Sequence, residues 1–99
     1  MKDFLKRQFL LIRKDISDYL GGKIDLNKFI GNLEAVSEII QDKKWKEVVF
    51  PIILGLEQIN AGSIEFGDFL TEHDEILIRE SMRALDIEVE RFLQQIPDS

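Results

Sequence analysis

The chain has 99 residues, 44% of them hydrophobic and 9% aromatic, with thirteen Lys and Arg against nineteen Asp and Glu for a formal net charge of −6. One hydrophobic core is normally shared by roughly 100 residues or more, which excludes a second domain, so residues 1–99 are read as a single domain. The chain has no cysteine, which rules out disulfides and thiolate metal sites and fits a reducing compartment, while the negative charge opposes phosphate backbones and anionic lipid. We therefore expect a cytoplasmic protein with a basic protein partner, and no direct contact with nucleic acid or membrane.

The first fourteen residues carry Lys2, Asp3, Lys6 and Arg7 among the apolar ones, so no uncharged run has the length of an export signal or a membrane span. From Phe4 to Leu20 the apolar residues Leu5, Phe9, Ile12, Ile16 and Tyr19 recur at spacings of three and four, the signature of one buried helix face. Gly21-Gly22 suits the left-handed cap that ends such a helix. A second stripe runs through Leu26, Phe29, Leu33, Val36 and Ile40, with Asp25 placed to accept from the free amides of its first turn.

The third stripe, Trp45, Val49, Ile52, Leu56 and Ile59, contains Pro51. Because the apolar spacing passes through it undisturbed, a continuous, bent helix is expected, ending at Ala61-Gly62. Trp45, between lysines, is read as core in preference to a binding anchor. The last stripe, Ile78, Met82, Leu85, Val89, Phe92 and Ile96, opens at a Thr71 cap and stops at Pro97.

Residues 22–30 (GKIDLNKFI) and 62–70 (GSIEFGDFL) share Gly, Ile and Phe at an offset of forty, and the first and third stripes coincide at that same offset. Each copy is placed to form a hydrophobic staple, Ile24 with Phe29 and Ile64 with Phe69. Gly67 makes the second copy the poorer helix, so residues 63–70 are expected as a short turn or an irregular loop. The fold class is all-α, an antiparallel bundle of four or five helices.

Charge is uneven. Residues 1–56 hold ten Lys and Arg and eight Asp and Glu, or +2, whereas residues 57–90 hold two and ten, or −8. A solvated helix face and a binding surface both produce such a run. Catalytic chemistry is poorly provided for: His73 is the one histidine, the serines lack a glycine-elbow context, and Gly21-Gly22 is not a phosphate loop. Glu72, His73, Asp74 and Glu75 are adjacent and point round different sides of a helix, so they do not converge on one ion. We expect no enzyme activity, no cofactor and no metal. The second helix carries Glu34 and Glu38 with Lys28 as its one basic residue, which argues against DNA reading.

The stretch LGGKIDLNKF (20–29), with a helix ending at glycine and a turn entering the next helix through Phe29, resembles small bacterial immunity proteins of the colicin D type and those that accompany contact-dependent growth-inhibition toxins. The acidic segment and long last helix at 70–93 (LTEHDEILIRESMRALDIEVERFL) extend that resemblance over most of the chain. It implies a bacteriocin-type immunity function: binding a cognate toxin domain, often a nuclease, and blocking its basic active site with an acidic surface. Under it Glu65, Asp68, Glu72, Asp74 and Glu75 would lead the contact, with Phe66 as apolar anchor and Glu57 and Glu80 completing the acidic face. The alternative is a generic acidic helical adaptor or regulatory interaction module. Oligomeric state is left open.

Overall fold

A computed structural model describes residues 2–65, 67 and 69–97 and, among them, four helices: α1 (Lys2–Leu20), α2 (Leu26–Ile40), α3 (Lys43–Glu65) and α4 (Glu72–Gln95). Helix α1 packs on α2 and α4, and α3 packs on the same two, so the four stand at the corners of a square with consecutive helices as neighbours. The principal extents are 49 × 25 × 19 Å. No described helix is long and apolar enough to cross a membrane.

The ends of the helices follow from local chemistry. Gly22 adopts φ +77°, and the Gly22 N–H donates to the Tyr19 carbonyl while Lys23 N–H donates to that of Asp18, which closes α1 in a Schellman motif. Asp25 caps α2, its carboxylate accepting from the Lys28 amide at 2.7 Å. The α2–α3 connection takes only two residues: Gln41 turns the chain at φ 52° and Asp42 accepts from the Trp45 amide at 2.9 Å. Thr71 and Asp74 form a reciprocal capping box on α4.

The core runs the length of the bundle through Phe9, Ile12, Phe29, Leu33, Trp45, Leu56, Ile78, Met82 and Leu85, each at most 2% exposed. All four helices meet at Trp45. Its ring lies 5.0 Å from Phe9 of α1 and 5.2 Å from Phe92 of α4, both edge-on, and its indole N–H donates to the Ser37 hydroxyl of α2 at 3.1 Å. The tryptophan is 0% exposed, so it is core and not a surface anchor. At the opposite end Tyr19 and Phe29 pack at 5.9 Å.

Helix α3 continues through Pro51 as the spacing predicts, but it does not stop at Ala61-Gly62: it runs on to Glu65. Gly62 has ordinary helical geometry there, and the Ser63 hydroxyl bonds the Asn60 carbonyl at 3.1 Å. The left-handed glycine after α3 is Gly67, at φ +86°. The forty-residue repeat therefore fails at its centre, since Gly22 ends a helix and Gly62 lies within one. The second staple fails with it: Ile64 is an exposed residue of α3, and Phe69 lies outside any helix and is 78% exposed.

Candidate protein-binding surface

Three of the four seams between neighbouring helices carry polar ties. Arg13 of α1 reaches Asp86 at 3.0 Å and Glu90 at 2.6 Å on α4; burial opposes its charge, but the two carboxylates outweigh that and hold the guanidinium more firmly protonated than usual. Asn32 of α2 donates to Asp15 of α1 at 3.3 Å. Between α2 and α3 lie the Trp45–Ser37 bond and an Asn60–Asn27 bond at 3.2 Å. Among the described residues no hydrogen bond or ion pair links α3 to α4, so that seam is held by apolar packing alone.

The seam is also open. A groove of about 830 Å³ runs along it, floored by Ile52, Ile59 and Leu77. It exists because the facing side chains are small: α3 contributes Pro51, Gly55 and Gly62, and α4 contributes Ser81 and Ala84. A Cβ at Gly55 or Gly62 would meet nothing within 4 Å. Phe69, Asp74 and Glu80 stand on the rim.

The acids singled out from the sequence divide among three faces. Asp74 and Glu80 border this groove, with Glu65 exposed at the end of α3 and Glu72 exposed at the start of α4. Asp74 is engaged in its cap, accepting from the Thr71 amide at 3.1 Å. Glu75 faces the α1 side, in a small cleft with Tyr19 and Arg79, where burial first and the Glu75 charge second push the Tyr19 hydroxyl above its ordinary pKa. Glu57 lies on the opposite side of α3, against α2. Phe66 and Asp68 fall outside the described residues. His73 is exposed.

Pairing sharpens the charge distribution further. The acids toward the C-terminal end of α4 are paired locally, Asp86 and Glu90 sharing Arg13 and Glu88 meeting Arg91 at 3.4 Å. None of Glu65, Glu72, Asp74, Glu75 or Glu80 takes part in an ion pair among the described residues. Among the described residues, Glu65 and Glu72 thus stand without an ion pair where α3 hands over to α4, the region that also carries exposed Ile64, Phe69 and Ile76.

The apolar stripes alone do not reveal this groove. Its signal was the Pro51, Gly55, Gly62 series, which recurs at spacings of four and seven on one side of α3 but reads equally as a kink and a helix stop. Comparison with protein-family models, with curated proteins and with solved structures finds no match.

Proposed function

We propose that this chain is an immunity-type inhibitor that binds a basic toxin domain, of nuclease type, through the α3–α4 edge of the bundle and acts in the cytoplasm of the cell it protects. The observation that carries this reading is the combination on that edge of an open apolar groove with acids that have no ion-pair partner among the described residues. Nuclease clefts are basic because they hold phosphates, and a rigid acidic surface can occupy such a cleft while its field speeds encounter. Apolar side chains supply what charge does not: Phe69 is a large, desolvatable anchor of the kind that dominates interface energetics. Glu65, Glu72 and Glu80 supply the charge that complements the toxin, with Asp74 holding the edge in shape through its cap.

Co-expression with the C-terminal domain of the product encoded beside its gene tests this directly. The chain should restore growth to cells producing that domain, and the E65K/E72K/E80K variant should not while retaining its helical circular dichroism. A neighbouring product without toxicity would count against the inhibitor reading. The groove itself gives a second reading specific support, an adaptor that grips an apolar partner segment. That reading predicts binding lost on filling the groove yet indifferent to salt.

A further inference from the structure

A second groove, of about 650 Å³, lies between α2 and α3, on a different side of α3 from the open seam. Its apolar part presents Phe50 and Leu54, one turn apart on α3 and 59% and 43% exposed. Its rim carries Glu34 and Glu38 from α2 and Glu57 from α3, against one amine, Lys46, which stands 3.9 Å from Glu38. Glu34 and Glu57 meet across the seam with no cation between them among the described residues, and hydrogen bonding to Glu57 is the main cause that raises the Glu34 pKa, followed by burial and by the Glu57 charge. A guanidinium placed between them would satisfy both carboxylates.

We propose that the α2–α3 groove is a separate docking surface for a basic amphipathic helix of another protein, which seats apolar side chains on Phe50 and Leu54 and places an arginine between Glu34 and Glu57. Charge selects this occupant: three carboxylates and one amine border an apolar strip, the complement of a helix with Leu and Arg on one face. A docked arginine favours the ionised form of Glu34, whose carboxyl the contact with Glu57 holds above its usual range, so binding strengthens as pH rises through the range in which Glu34 ionises. Lys46 and Glu38 are the other charged groups that line this groove.

The test uses a capped helical peptide of about 14 residues, with Leu and Arg one turn apart along one face, and a counterpart with Glu in place of Arg. Titration of the full chain, followed by amide NMR shifts and calorimetry, should show the Arg peptide perturbing residues 34–38 and 46–57 and the Glu peptide binding at least about tenfold more weakly. E34Q/E57Q and, separately, F50A/L54A should each weaken the Arg peptide about tenfold or more, while E65K/E72K/E80K leaves shifts confined to the same groove, which keeps this result distinct from the fate of the α3–α4 reading. Binding of the wild-type chain should be weaker at about pH 4.5 than at about pH 7, the peptide's arginines being charged at both. Shifts mapping to the α3–α4 seam, equal binding of both peptides, or unchanged affinity in E34Q/E57Q would overturn the proposal. So would a concentration-dependent dimer, abolished by F50D, that excludes the peptide, since the occupant would then be a second copy of this chain.

Discussion

Trp45 shows how a single side chain joins four helices. It packs edge-on to two aromatic rings, and its one polar atom is satisfied by Ser37, a buried hydroxyl that has little other reason to be in the core. Removing that hydroxyl in S37A leaves the indole N–H unpaired and should destabilise the chain by about 1–3 kcal/mol, seen as a lower midpoint in urea with an unchanged slope. Asp15 behaves in the opposite way. Burial pushes its carboxyl above the ordinary value, although the Asn32 bond and the nearby lysines pull it back. Its folded pKa thus exceeds its unfolded one, so its contribution to stability is greatest at low pH and is lost as pH rises through the folded value. D15N keeps an acceptor for Asn32 without that loss. The difference in Tm between D15N and wild type should therefore move in favour of D15N between about pH 3 and about pH 7.

At the scale of elements, two predictions separate what holds a helix from what shapes its surface. T71A removes the hydroxyl that caps α4 and should cost about 1 kcal/mol, measured by thermal melting. Gly55 and Gly62 weaken α3 and have open space where a side chain would stand; G55A/G62A should stabilise the fold by up to about 1 kcal/mol per site. The same pair should weaken partner binding by filling the groove, so a variant that melts higher and binds less well is the expected outcome. These cases mark how far the sequence was legible. The first, second and fourth apolar stripes, the Asp25 and Thr71 caps and the passage through Pro51 are local patterns found where their spacing puts them, whereas on α3 Ile53 is buried in place of Ile52, and Ile52 and Ile59 line the open groove. Gly62 misled because a glycine ends a helix only when the backbone turns left-handed there, and at 62 neighbouring helical residues and packing carry α3 three residues further. The apparent second staple at Ile64 and Phe69 failed for that reason. The acidic half was visible as composition, but its division among three faces depends on helix rotation and on Arg13, which lies 73 residues from Asp86.

Across the whole molecule, the Arg13 pairs tie up two acids of the C-terminal half of α4, while Glu65, Glu72 and Glu80 take part in no ion pair among the described residues. Both partners are substantially exposed, so such pairs contribute at most about 1 kcal/mol each to stability; their larger effect is on where the field is strongest. A surface of this kind acts on association more than on the lifetime of the complex, and its influence fades beyond a Debye length of about 10 Å at 0.1 M salt. On the proposed reading, the most direct measurement is the rate at which the chain associates with the C-terminal domain of the product encoded beside its gene, followed by stopped-flow fluorescence from about 20 to about 500 mM salt. Steering by the acidic edge gives a rate that falls by roughly tenfold or more over that range, and a slower, nearly salt-independent rate for E65K/E72K/E80K. A wild-type rate that is flat with salt and matched by the triple variant would contradict it.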